Sequence, residues 1–187
     1  MRFTTAQVAV LIGLVSLTFF FGALVLAFGL RIDAQRTWQR FEVPGLLWLG
    51  TALLALSSWT LEASRRSLRT ALIAIYRGRL IATILLGIMF LCIQSVAAAD
   101  LLAQGVGAAA NPHGSAFYVF MTIHALHLCG GITWLAVLRY RSAQLFSGTE
   151  TDLRHQRRSL SAVAIYWHFM GALWLVLYAF LRRWTSG

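Results

Sequence analysis

Five apolar stretches, each close to the 20 or so residues that a helix needs to cross a hydrocarbon core of about 30 Å, constrain this chain more than any motif within it. They cover roughly residues 7–30, 43–63, 80–103, 116–138 and 162–181. The expected fold is therefore all-α: an integral membrane bundle of five transmembrane helices, forming a single transmembrane domain over residues 1–187. A shorter apolar piece, ALIAIY at 71–76, is bracketed by Arg69, Arg77 and Arg79 and reads as an interfacial extension of the third helix, so no sixth span is expected. The first run has only Arg2 before it and exceeds the apolar region of a cleavable signal, so it is expected to be retained.

Composition supports the same class. With 59% hydrophobic and 12% charged residues the chain is far from a soluble domain. A formal net charge of +10 would in a soluble protein point to nucleic acid, but here the basic residues fall between the apolar runs, where topology accounts for them and no nucleic acid partner is expected. All 16 are arginine, which reads as the coding bias of a GC-rich bacterial genome. Basic loops stay in the cytoplasm. The amino terminus and the 64–79 and 139–158 links carry eleven arginines, against five in Arg31, Arg36, Arg40, Arg182 and Arg183. The amino terminus is thus expected in the cytoplasm and the carboxyl terminus in the periplasm. The link QGVGAAANPHGS has no arginine and holds an Asn-Pro turn signal, as an outer loop should.

Soluble-type enzyme signatures are missing: the sequence has no P-loop, dinucleotide fingerprint, Ser/His/Asp arrangement or internal repeat. Cys92 and Cys129 lie in separate apolar runs without a CxxC and read as small buried apolar residues. Histidine is the exception. His124 and His127 sit one turn apart in the fourth run and His168 in the fifth, and an ionisable group in hydrocarbon marks a functional site by default. At 1.5 Å per residue His127 lies about 18 Å from the outer surface and His168 about 10 Å from the inner one, levels that agree within a turn, so the two are expected to meet. One reading is axial ligation of a haem, with Gly130, Gly131 and Gly171 making room for the ring. The other is neutral imidazoles hydrogen-bonding across the bundle, to each other or to Tyr166 and Gln94, and this is the reading adopted. A lipid headgroup or ion site is the remaining alternative.

FYVFMTIHALHLCGGITWLAVL and YWHFMGALWLVLYAF together resemble the last two helices of subunit III of the haem-copper terminal oxidases. Phe117, Tyr118, His124, Leu126, His127 and Gly131 match that family's aromatic pair and its histidine phrase; Tyr166, Trp167, His168, Phe169 and Trp174 match its final helix. EVPGLLWLGTALLALSSWTLEASRRSL, with Ser57, Ser58 and Thr60, is similar to an earlier family element, as are SLTFFFGALVLAF and, through Gln94, FLCIQSVAA. The resemblance covers all five helices and implies the family's short five-helix form.

It further implies a non-catalytic subunit in a bacterial inner membrane, packed against oxidase subunit I beside other oxidase subunits. Haem and copper would then lie in the partners, with phospholipid bound here and with support given to proton uptake and to durability of the oxygen-reducing complex. A cytochrome c oxidase is the reading adopted; a quinol oxidase or the small subunit of a nitric oxide reductase is the near alternative, and a haem b-binding membrane anchor the distant one. No catalytic, cofactor-binding or metal residue is assigned. The structural or lipid-contact candidates are His124, His127, Tyr166, Trp167, His168, Gln94 and Glu62. The chain also departs from the family by losing acids: Leu17, Ala97, Ala98 and Gly171 stand where many members carry carboxylates. Of the acids it has, Glu62 precedes Arg65 and Arg66 by one helical turn, which favours a local ion pair, and Asp100 falls near the outer end of the third helix.

The arginine asymmetry yields a direct test. A reporter active only in the periplasm is expected to be active when fused after Arg183 and inactive when fused within 142–156; the reverse pattern would overturn the sidedness.

Overall fold

The computed structural model describes residues 5–33, 45–105, 107, 112–143, 145 and 149–185. Arg2, Arg36, Arg40 and the 108–111 part of the outer link lie outside them. The described residues form five helices and no strand: α1 (Thr5–Asp33), α2 (Leu46–Arg69), α3 (Ile73–Ala103), α4 (Pro112–Arg141) and α5 (Glu150–Thr185). All five are long and apolar enough to cross a membrane.

The 71–76 segment extends the third helix as expected, from Ile73 on, with Ala71 and Leu72 in the turn before it. Two boundaries differ from those expected. α2 runs on to Arg69, past the end of its apolar run at 63. α5 starts at Glu150, about three turns before the apolar run expected from 162. A hydropathy reading finds only the part of a helix that lipid would cover, whereas α5 is started by a capping box. The Asp152 carboxylate accepts from the Thr149 amide at 2.8 Å, and the Asp152 amide donates back to the Thr149 hydroxyl at 3.4 Å. Arg154 and Glu150, one turn apart on this polar end, pair at 2.6 Å.

α2 and α3 form the most extensive helix pair, and the turn between them is a Schellman ending. The Leu72 amide reaches the Ser67 carbonyl at 3.0 Å and the Ala71 amide the Leu68 carbonyl at 3.3 Å. That geometry puts Ala71 at a φ of 56°, in the left-handed region. Beyond the turn, Ser64 donates to the Tyr76 carbonyl, and Arg79 donates to the Ala63 carbonyl and the Ser67 hydroxyl.

α5 packs against α2, α4 and α1, while α3 closes the far side against α2 and α4. Near its amino-terminal end the buried amide of Gln156 donates to the Tyr76 hydroxyl at 2.9 Å and to the Leu138 carbonyl at 2.8 Å, tying α5 to α3 and α4. Arg157 donates to the Arg69 carbonyl and, beside the Ala71 amide, to the Leu68 carbonyl at the end of α2. α1 is held more lightly. It buries Leu14 and Phe21, while Ile12, Val15, Phe19 and Leu26 stay exposed.

An L-residue in the left-handed region costs on the order of 1 kcal/mol relative to glycine. Ala71→Gly is therefore expected to stabilise the α2–α3 hairpin by about that amount, read as a higher midpoint in denaturant titrations of micelle-embedded protein. An unchanged or lower midpoint would show that the strain is not present.

Candidate functional site

The expected site residues divide between the two faces of α5. Trp167 is fully buried, pointing into the bundle. Its ring lies against Gly87 of α3 and Gly131 of α4: a Cβ at position 87 would stand 2.9 Å from the indole, and one at position 131 would stand 3.2 Å from it and 3.1 Å from Tyr166. The indole N–H donates to Ser57 Oγ at 3.0 Å, and Ser57 donates onward to the Leu54 carbonyl at 2.7 Å. Seven residues along α5 the arrangement repeats. Trp174 donates to Thr51 Oγ1 at 3.0 Å and Thr51 to the Leu47 carbonyl at 2.9 Å. Both buried indoles thereby reach a partner on α2, and both hydroxyls spend their own proton within α2.

His124 lies inside this aromatic seam, fully buried, with ring centroids 5.4 Å from Trp174 and 6.0 Å from Phe90. Phe90 and Trp174 meet edge to face at 4.9 Å. Neither ring nitrogen of His124 has a hydrogen-bond partner among the described residues. Gln94, one turn from Phe90 on α3, turns its amide nitrogen to the Met121 sulfur at 2.8 Å and to the Met121 carbonyl at 3.4 Å. His127 faces elsewhere. It packs on Phe21 of α1 with centroids 6.1 Å apart, and its Nδ1–H donates to the Ile123 carbonyl at 2.7 Å. Tyr166 reaches His127 through the backbone, donating its hydroxyl proton to the His127 carbonyl at 2.7 Å.

His127 and His168 do not meet, contrary to the expectation from depth. Level in the membrane follows from position along the helix, but facing follows from rotation about it, and successive residues turn by about 100°. With Trp167 committed to the interior, His168 is turned out. It is exposed in a groove between α2 and α5, alongside Ser58 and Gly171. The three imidazoles consequently point at three different neighbours. The space that the alternative haem reading assigned to Gly131 is filled by Tyr166 and Trp167, Gly130 has nothing within 4 Å of its Cβ position, and Gly171 faces the groove. Among the described residues no group of three or more His, Cys, Asp or Glu side chains could hold a metal ion.

Glu62 lies near the carboxyl-terminal end of α2, paired with Arg65 at 2.7 Å and within 4.0 Å of Arg66. Asp100 accepts from Gln104, one turn later, at 3.1 Å. Four residues of the site carried no sequence signal that was read: Gly87, Tyr76, Gln156 and Thr83, the last of which shares a 2.9 Å hydrogen bond with Thr60 between α3 and α2. A small residue on α3 level with the buried aromatic of α5 would have found Gly87.

A bundle of five helices, each long and apolar enough to cross a membrane, defines a multi-pass membrane protein. Residues 3–186 match the model of the family described as Cytochrome c oxidase subunit III, and the chain belongs to that family. It is 27% identical over 161 residues to a probable quinol oxidase subunit 3 of Staphylococcus haemolyticus, covering 86% of this chain and 77% of that protein. It is 34% identical over 149 residues to the cytochrome c oxidase subunit 3 of Cyprinus carpio, covering 78% of this chain and 52% of that one. The corresponding protein of Oncorhynchus mykiss is 33% identical over 153 residues, with 80% and 53% covered. The chain thus spans about half the length of these fish relatives.

The clasp around Trp167 gives a paired test. Gly87→Ala is expected to destabilise the bundle by about 1–3 kcal/mol, the scale of overpacking a filled interior, and to shift tryptophan emission. Gly130→Ala, with open space at its Cβ position, is expected to be neutral within about 0.5 kcal/mol. Equal effects would mean that the clasp does not hold the indole.

Proposed function

We propose that this chain is the non-catalytic subunit III of a bacterial haem-copper terminal oxidase, placed in the cytoplasmic membrane with its amino terminus inside and packed against catalytic subunit I. In this reading the partners carry haem and copper, and the chain binds phospholipid and supports proton uptake and durability of the oxygen-reducing complex. The observation that carries it is the family match over residues 3–186, nearly the whole chain, on a bundle of five membrane-length helices. The seven residues His124, His127, Tyr166, Trp167, His168, Gln94 and Glu62 serve it as structural or lipid-contact groups.

The electron donor is proposed to be cytochrome c, as the fish relatives' names have it. One observation favours a quinol instead: the relative named as a probable quinol oxidase subunit 3 aligns over more of this chain. Oxygen uptake by the complex purified through this chain, measured with reduced cytochrome c and with a quinol, separates the two.

A proton relay needs ionisable groups at mid-depth, and Leu17, Ala97, Ala98 and Gly171 supply none. The subunit is therefore proposed to act on its partner through packing and bound lipid. Glu62, held by Arg65, is assigned a structural role. Glu62→Gln is expected to leave oxidase turnover and its pH dependence within about twofold of the parent, whereas deletion of the whole subunit should shorten the enzyme's working life. A large loss of proton uptake in Glu62→Gln, with assembly intact, would make that acid functional.

A further inference from the structure

Where α2 ends and the apolar part of α5 begins, Arg65, Leu68 and Arg69 face Arg157, Leu160 and Ser161 across a hollow of about 20 Å³. Room on that scale takes one oxygen of a small anion and not a side chain. The level of the hollow follows from the sequence: Arg69 is the last residue of α2, and Ser161 stands immediately before the apolar run of α5. In a bundle that spans a membrane, charged groups flanking the apolar runs lie among the lipid headgroups, whichever side of the membrane they are on.

Charge here is unbalanced. Arg65, Arg66, Arg69, Arg157 and Arg158 lie at these ends of the two helices, and the acid beside them, Glu62, is already paired with Arg65 at 2.7 Å and lies 4.0 Å from Arg66. The acids at the start of α5 are engaged as well: Glu150 pairs with Arg154 at 2.6 Å, and Asp152 caps the helix through Thr149. Arg157 spends its Nε–H and one Nη2–H on the Leu68 and Arg69 carbonyls, at 3.2 and 3.3 Å, and keeps its remaining donors. By covering those carbonyls it also masks the negative end of the α2 dipole, which would otherwise repel an anion. The Arg69 guanidinium and the Ser161 hydroxyl make no hydrogen bond or ion pair with the described residues. Donors are thus left over on both helices, with a hydroxyl among them. A carboxylate offers two oxygens in one plane, whereas donors on two sides suit a tetrahedral anion, and guanidinium groups match phosphate oxygens well. At headgroup level the membrane itself supplies phosphate.

We propose that this hollow is a binding site for a phosphate group, presented by an anionic phospholipid or by a free phosphate anion, with Arg69, Arg157 and Ser161 as donors and Arg65 at its rim. It gives the proposed phospholipid binding a place and a chemistry, and it rests on the chain's spanning a membrane rather than on which oxidase it serves.

The test offers two probes to the full-length chain in a non-ionic maltoside detergent. Phosphatidylglycerol is read as lipid retained in native mass spectrometry, and inorganic phosphate as a rise in melting midpoint against chloride at equal ionic strength. The parent chain is expected to retain phosphatidylglycerol. Arg69→Gln should weaken that binding by about tenfold, the scale of a lost charge-assisted hydrogen bond, and Ser161→Ala should weaken it less. Arg141→Gln, which removes the same charge from the exposed end of α4, should leave it within about twofold. Stabilisation by inorganic phosphate without lipid retention, but with the same dependence on Arg69, would assign the site to the free anion. Failure of both probes would overturn the inference, as would equal losses in Arg69→Gln and Arg141→Gln at unchanged helix content, since the arginines would then form a diffuse basic surface. Either failure leaves the oxidase assignment standing, because the assay uses this chain alone; a chain that binds phosphatidylglycerol yet recovers no oxidase subunit from membranes would fail that assignment and not this site.

Discussion

The indole of Trp167 is the constraint on which the rest of the bundle depends. Lipid tails are as apolar as leucine, so helices in a membrane associate through close packing and hydrogen bonds rather than through hydrophobic burial. Trp167 supplies both at once, its ring held by Gly87 and Gly131 and its N–H donating to Ser57. Four helices meet at this one side chain. Fixing it also fixes the rotation of α5: Trp174 falls seven residues on in the same seam, His124 is packed against it, and His168 is turned outward.

Polar groups follow a consistent division along the membrane normal. In the middle, the two buried indoles and the α2 hydroxyls of Thr51 and Ser57 are matched within short relays that end on backbone carbonyls. Toward the arginine-rich end the bonds become longer in range, with Gln156 joining Tyr76 and Leu138, Arg157 covering the end of α2 and Arg79 returning to it. Helix ends carry unsatisfied carbonyls, and guanidinium groups suit them because each brings several donors on a stem long enough to lie along the helix. The arginines of these links therefore do two jobs. Their number biases topology, and their geometry closes the termini of α2 and α5 against one another.

Helix number was legible because hydropathy over a membrane length is a one-dimensional property, and the five runs correspond to α1–α5. The family was legible from the histidine and YWHF phrases, and the match over residues 3–186 agrees with it. Facing was not. His127 and His168 were placed at one level, but a single-residue step from Trp167 to His168 carries the side chain through about 100° and out of the bundle. The start of α5 was missed by twelve residues because the capping box of Thr149 and Asp152 is polar and contributes nothing to a hydropathy window. Gly87 and Gln156 were missed for a third reason: each acts through residues on other helices, and local sequence does not show which those are.

The four positions at which the resemblance anticipates acids show how this chain manages without them. Ala97 is fully buried and Leu17 and Ala98 pack against the core, with the Ala98 carbonyl accepting the Tyr118 hydroxyl at 3.0 Å. At these three positions apolar surface fills the site, and a carboxylate there would lack a cationic partner in a low-dielectric setting that disfavours its charged form. Gly171 differs, because its missing side chain leaves space beside Ser58 and His168. The region where the resemblance anticipates charge is thus held here by imidazoles, hydroxyls and indoles. These can be neutral in lipid without great cost, and they act through shape and hydrogen bonding.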